Sequence, residues 1–228
     1  MKKYRIITLT LLSLLVTGTG LCADDALKSL WERYTQHKSK GDLSKAAFVL
    51  CKIARKQVSL KQFEQAEKSY AIALKSLGEK APGKTLAKLW LEIASLHRKM
   101  NQPEIALIEI KHALSLGGNS KKLCLEQARI HRDLGQFKKA EDLYKTLYKS
   151  VKKRYGRKHR SVAKVYGELA FLYARAGKLK RAKTMLKRGL FINRALKDGK
   201  VKAYEKQHKP VLLKLSHALT SRNEVVSS

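Results

Sequence analysis

Small and apolar side chains recur along this chain at helical spacing. Phe63-x-x-Ala66-x-x-x-Tyr70-x-x-Ala73 is followed by Pro103-x-x-Ala106-x-x-x-Ile110-x-x-Ala113, then Phe137-x-x-Ala140-x-x-x-Tyr144-x-x-Leu147, then Leu179-x-x-Ala182-x-x-x-Leu186-x-x-Gly189. Steps of three and four residues place these side chains on one face of an α-helix. Twelve residues before each leading alanine stands another: Ala54, Ala94, Ala128 and Ala170. A small residue at both places lets two helices approach closely on either side of a tight turn. Asn101-Gln102-Pro103, Gly135-Gln136 and Gly177-Lys178 mark such turns.

The pattern predicts helices over 25–39, 43–60, 62–77, 84–100, 103–116, 121–134, 136–154, 160–176, 178–196 and 200–221. Eight of them make four antiparallel pairs over 43–196, preceded by an N-terminal helix in 24–42 and followed by a capping helix in 197–221. Pro210 is expected to kink or restart that last helix, because it cannot donate to the helical ladder. Val211 to Leu219 then form its apolar cap, and the polar tail at 222–228 frays. The leading alanines of successive pairs are 40, 34 and 42 residues apart, so two of the three steps need a longer helix or linker.

These residues resemble the tetratricopeptide repeat over about 47 to 195. His159 to Arg194 looks like the longer repeat of kinesin light chains. The resemblance implies an all-α, right-handed solenoid of antiparallel helix pairs with capping helices at its ends. It also implies a non-catalytic scaffold for protein–protein contact, with no cofactor and no small-molecule substrate.

Residues 1–23 follow a different grammar. Lys2, Lys3 and Arg5 precede an eleven-residue apolar or hydroxylic run, Ile6 to Val16, and small residues lead to Ala23. This is the pattern of a secretory signal peptide, too short in its apolar run to span a bilayer. Cleavage after Ala23 is expected, placing the mature protein in the periplasm or outside the cell, as an exported bacterial type of repeat protein. Cys22 follows Leu21 rather than a small residue, which argues against lipid anchoring.

Charge sharpens the picture. The chain carries 50 Lys+Arg against 18 Asp+Glu, a formal +32. Loss of residues 1–23 removes three bases and no acid, leaving +29. Residues 149–214 hold 22 bases against three acids, so the C-terminal third is the more basic part. An acidic or polyanionic partner follows from such an imbalance.

Several motifs lose their chemistry in context. Gly78-Glu79-Lys80-Ala81-Pro82-Gly83-Lys84-Thr85 spells the phosphate-loop pattern, but it follows a helix instead of a buried strand and reads as an inter-repeat linker. His97 and His131 share one repeat position, which makes them a packing slot, and no second His, Cys or carboxylate is expected to join them as a metal site. Cys51 and Cys124 lie two units apart and are expected to be free, buried thiols. No arrangement supports catalysis.

In the tetratricopeptide family, helix-A positions 2, 5, 9, 12 and 13 line the concave groove, with the first helix-B alanine counted as 20. Carried over, they place Arg55, Lys88, Leu91, Arg98, Lys99, Lys122, Leu125, Arg129, Arg132, Lys164, Phe171 and Arg175 there. The twenty positions hold nine bases and one acid, Asp133. The lysine and asparagine arrangement of chaperone carboxylate clamps is absent. The resulting expectation is an acidic peptide or protein segment held in a basic groove. The alternative is a peripheral binder of anionic lipid, envelope polysaccharide or nucleic acid through Lys152, Lys153, Arg154, Arg157, Lys158 and Arg160. Base stacking needs exposed aromatics among the bases, and Tyr155 is the best candidate the basic third offers, so nucleic acid ranks below lipid and polysaccharide.

Overall fold

The structure is a computed structural model that describes residues 25–78, 81–118, 120–196 and 201–214. The signal peptide and the frayed tail expected from the sequence lie outside the described residues. Ten helices run through the described part: α1 (Asp25–Ser39), α2 (Leu43–Ser59), α3 (Phe63–Leu77), α4 (Gly83–Lys99), α5 (Pro103–Ser115), α6 (Lys121–Asp133), α7 (Phe137–Tyr155), α8 (Arg160–Arg175), α9 (Leu179–Ala195) and α10 (Val201–Gln207). A further helical stretch follows at 209–214, so the chain breaks and restarts its last helix beside Pro210. No strand occurs among the described residues.

The helices pack as antiparallel pairs, α2 on α3, α4 on α5, α6 on α7 and α8 on α9, and consecutive pairs stack into a solenoid. The alanines explain the close approach. Ala54, Ala94, Ala128 and Ala170 on the first helices and Ala66, Ala106, Ala140 and Ala182 on the second are all 0% exposed. Larger side chains fill the remaining core, among them Leu50, Ile53, Ile110, Ile130, Tyr144 and Leu172. At the open N-terminal end α1 has no fully buried residue. Leu27, Leu30, Trp31 and Tyr34 are half-buried against the core of the first pair, as expected of a terminal element with one face in solvent.

Each turn inside a pair uses one geometry. The residue at position 15 takes a left-handed conformation, and the next backbone N–H donates to the carbonyl of position 11: Gln62 to Gln57, Gln102 to His97, Gln136 to His131 and Lys178 to Tyr173, at 2.8–2.9 Å. This closes the helix end and satisfies a carbonyl that has lost its helical partner. Gly135 and Gly177 adopt that backbone freely, whereas Lys61 (φ 61°) and Asn101 (φ 62°) adopt it with a side chain present. The turn at Lys61 carries no Gly, Asn or Pro, so the sequence does not mark it.

The register has a direct test. Ala140→Val should lower stability by about 1 kcal/mol, toward the low end of overpacking costs, while Lys180→Val on the exposed face of α9 should change it by less than about 0.5 kcal/mol. Equal melting temperatures for the two variants would remove this register.

Candidate functional site

The first helices of the four pairs, α2, α4, α6 and α8, present adjacent faces along the stack. Three, four and seven residue separations bring positions 2, 5, 6, 9, 12 and 13 of each helix to that face. Arginines occupy position 9 or 12 of one unit, and a glutamate occupies position 6 of the next, at Glu92, Glu126 and Glu168. The result is a ladder of ion pairs joining every consecutive unit. Arg55 clasps Glu92 with two hydrogen bonds of 2.9 Å. Arg98 bonds Glu126 and also Asp133, the latter at 3.2 Å. Arg129 bonds Glu168 and, at 3.2 Å, Glu126. Arg132 bonds Glu168 at 3.2 Å and Asp133 at 3.1 Å, and Arg175 reaches Asp133 at 3.1 Å.

Tyrosines from the second helices complete two rungs. Tyr70 donates to Glu92 at 3.3 Å and Tyr144 to Glu168 at 3.4 Å. Glu168 has a side chain only 5% exposed. Burial pushes its carboxyl up, but Arg129, Arg132 and Lys164 outweigh that and hold it below the usual carboxylate range. Burial lowers the Arg129 guanidinium, and Glu168 and Glu126 outweigh it to raise the net value.

This changes the groove expected from the sequence. Arg55, Arg98, Arg129, Arg132 and Arg175 face it, yet their charge is spent on Glu92, Glu126, Asp133 and Glu168. The glutamate row was missed because position 6 was not among the positions taken as groove-lining. Its spacing of 34 and 42 residues, the same as that of the alanines, was the signal that could have found it. Lys88, Lys99, Lys122 and Lys164 remain exposed, with no carboxylate partner among the described residues. Lys88, Lys122 and Lys164 repeat at position 2 of three successive units. The Lys99 ammonium is pulled below its ordinary value by desolvation and by the neighbouring Arg98, and the charge of Glu126 offsets this only in part. Leu91 and Leu125 are half-buried between these charges.

Phe171 is placed differently. It lies under the C-terminal segment, 5.1 Å from the His208 ring, with Arg132 above it at 5.9 Å. The packing slot at position 11 is also more polar than expected. The His97 Nδ1 meets the Glu109 carboxylate at 2.7 Å across the pair, and its Nε2 meets Glu67 of the preceding unit at 3.4 Å. The expectation that no carboxylate joins His97 is therefore wrong, because positions 11, 21 and 23 converge where helices from two units meet. His131 instead faces Gln136 at 2.7 Å. No group of three His, Cys, Asp or Glu among the described residues could hold a metal ion.

Cys51 is buried and Cys124 only partly so, and both are free thiols. Burial pushes the Cys51 thiol up to about 11. Gly78 ends α3 and Gly83 opens α4, so the phosphate-loop look-alike joins two helices. On the basic third, Lys153, Arg154, Arg157, Lys158 and Arg160 are exposed at the end of α7, in the loop after it and at the start of α8, and Lys152 is half-buried. Tyr155 is stacked on His159 at 4.4 Å and carries Lys121 at 5.1 Å and Arg154 at 5.4 Å, so its faces are taken. No helix among the described residues is long and apolar enough to cross a membrane.

Comparison with known proteins agrees with this geometry. Residues 122–195 match the family model described as tetratricopeptide repeat. The crystal structure of BtubC (BKLC) from P. vanneervenii superposes with a TM-score of 0.66 at 17% identity, covering 92% of this chain and 94% of that one. A putative kinesin light chain of Podosopora anserina with nearly identical TPR-like repeats superposes with a TM-score of 0.55 at 16% identity, covering 76% of this chain and 98% of that one. At these identities the likeness is one of fold. No curated protein matches the sequence. Repeats of this kind generally build non-catalytic scaffolds for protein–protein contact. The family model matches residues 122–195, and the same two-helix unit runs from Leu43 to Ala195, so the described stack has the architecture of tetratricopeptide repeats.

Proposed function

We propose that the protein is an exported scaffold that holds an acidic segment of a partner protein along the face formed by α2, α4, α6 and α8. The observation that carries this reading is the residue set left over by the ion-pair ladder. Lys88, Lys122 and Lys164 stand exposed in a row, Lys99 lies exposed beside Arg98, and Leu91 and Leu125 offer apolar contact between them. The ladder supplies a rigid floor and the lysines the attraction. Export is read from Lys2, Lys3, Arg5 and the apolar run to Val16. A mature N-terminus at Asp24, found by sequencing protein from the native host, supports it, and an intact Met1 in the soluble cytoplasm refutes it.

The binding test uses the lysines and leaves the arginines alone, since reversing Arg98, Arg129 or Arg132 would break the stack itself. A synthetic peptide rich in Glu and Leu should bind the mature chain. Changing Lys88, Lys122 and Lys164 together to Glu should weaken that binding at least tenfold, roughly the effect of losing one good charge contact with its 1.4 kcal/mol. The same change at Lys153, Arg157 and Lys158 should matter less. Apolar contacts at Leu91 and Leu125 should preserve part of the affinity at about 0.5 M salt, where the Debye length is only a few Å. If the two sets of changes weaken binding equally, the groove reading fails.

A further inference from the structure

A second surface lies at the far end of the stack, away from the lysine row. The C-terminal half of α7, the loop after it, α8 and α9 enclose an open cleft of about 670 Å³. Five cations wall it: Lys152, Arg157, Lys158, Lys187 and Arg188. None of the five has a carboxylate partner among the described residues. The acids of α7, Glu141 and Asp142, lie about 15 Å along the helix from Lys152 and are already paired with Lys145 and Lys138. A cleft lined by one sign of charge focuses the field toward its interior and concentrates anions there.

Three aromatic rings share the cleft with these cations. Tyr166 donates its hydroxyl to Tyr148 at 3.1 Å, and the rings lie 5.4 Å apart. Two phenols bonded to one another leave one O–H proton with no protein acceptor among the described residues. Lys152 sits 6.0 Å over the Tyr148 ring and Arg188 5.9 Å over the Tyr166 ring. Those faces are therefore occupied by cations and closed to stacked bases. Phe191, at the rim on α9, is 64% exposed.

We infer that this cleft takes the phosphate group of an anionic phospholipid. A phosphate offers several acceptor oxygens to a site that has donors in surplus and no acceptor charge. A free phosphate ion would leave the Phe191 ring in water, and a single-stranded nucleic acid would find the tyrosine faces already covered. A lipid satisfies both parts: the headgroup meets the cations, and Phe191 reaches the boundary of the acyl region, where aromatic side chains are favourable. The protein then lies on the membrane surface by this face and leaves the lysine row of α4, α6 and α8 free for its partner.

Co-sedimentation of the mature chain with phosphatidylcholine vesicles, with and without phosphatidylglycerol, tests this. Binding should require phosphatidylglycerol. Each Lys or Arg close to an anionic leaflet is worth about fivefold in partitioning, so Lys187→Ser with Arg188→Ser should weaken binding roughly thirtyfold. Lys122→Ser with Lys164→Ser removes the same charge from the other surface and should weaken it less than about fivefold. Phe191→Ala should weaken binding and make what remains more sensitive to salt. These side chains are exposed, so the melting temperatures should match that of the unaltered chain. Equal losses in the two double variants would overturn the proposal, since the attraction would then come from net charge alone. Binding of inorganic phosphate by calorimetry without any binding to vesicles would overturn the lipid source. Tight binding of a single-stranded oligonucleotide that Phe191→Ala abolishes, with no vesicle binding, would overturn it in favour of nucleic acid.

Discussion

Glu168→Gln should destabilise the fold by about 3 kcal/mol, the low end of the cost of removing one partner from a buried ion pair. The carboxylate of Glu168 bonds Arg129 and Arg132 of the preceding unit and accepts from Tyr144 of the same preceding unit. A glutamine keeps one acceptor oxygen but leaves two guanidiniums with less anion than they were folded around. Glu126 and Asp133 share those arginines, which keeps the cost from the top of the range. Asp142→Asn is the control, because its pair with Lys138 is exposed on both sides and worth less than about 0.5 kcal/mol.

The acid limb of the stability curve should separate the same two proteins. The folded-state pKa of Glu168 is depressed, so its charge stabilises the fold above the ordinary glutamate value of about 4.3 and is lost as pH falls through the lower folded value. The gap in melting temperature between the unaltered chain and Glu168→Gln should therefore be constant near neutrality and close at strongly acidic pH. If Glu168→Gln melts within about 0.5 kcal/mol of the unaltered chain, the ladder is ornamental. The arginines would then be free to meet a ligand.

That possibility matters because the ladder decides how the basic groove is read. From the sequence, Arg98, Arg129 and Arg132 looked like ligand contacts because groove positions were sampled and position 6 was not among them. Helix packing was legible for a simple steric reason: Ala54 and Ala66, and their three counterparts, are the only size that fits where two helices cross. Polar pairing is less legible, since it joins residues from different units. Arg55 and Glu92 are 37 residues apart, Arg129 and Glu168 39, and Arg98 and Glu126 28, so no fixed spacing announces them. His97 and Glu109, and Gln57 and Ser69, do keep a fixed separation of 12 residues across the pair, and that row could have been read as the alanines were. The cleft beside Phe191 was hidden for the same reason as the ladder, because Tyr148, Tyr166 and Arg188 converge from three helices.

Gly167→Ala should loosen the C-terminal segment, at a cost of about 2 kcal/mol, within the usual range for overpacking. From the repeat pattern, Gly167 on α8 and Gly189 on α9 are departures from larger residues at the same positions of other units. The structure gives them a reason. A Cβ on Gly167 would overlap the imidazole of His208, and one on Gly189 would overlap the hydroxyl of Tyr204. These two rings, stacked 4.1 Å apart, plug α10 and the helical stretch after it onto the last pair, and Tyr204 donates to the Ala163 carbonyl at 3.2 Å. The His208 Nδ1 lies 2.7 Å from the Tyr204 carbonyl, to which a neutral ring donates. Burial lowers the His208 pKa, and Tyr204 and the charge of Glu168 offset this only in part. Its neutral form is the one that docks, so the cap is fully held above the ordinary histidine value of about 6.5 and weakens as pH falls through the lower folded value. Trypsin cleavage after Lys202 and Lys206 reads the docking directly. Cleavage should be faster in Gly167→Ala at neutral pH, and faster in the unaltered chain at about pH 5 than at pH 7 after correction for the enzyme's own pH dependence. His208→Leu should remove most of that pH response. If the segment is cut at the same corrected rate in all three proteins at both pH values, the glycine pockets do not hold the cap, and the end of the solenoid is closed by some other contact.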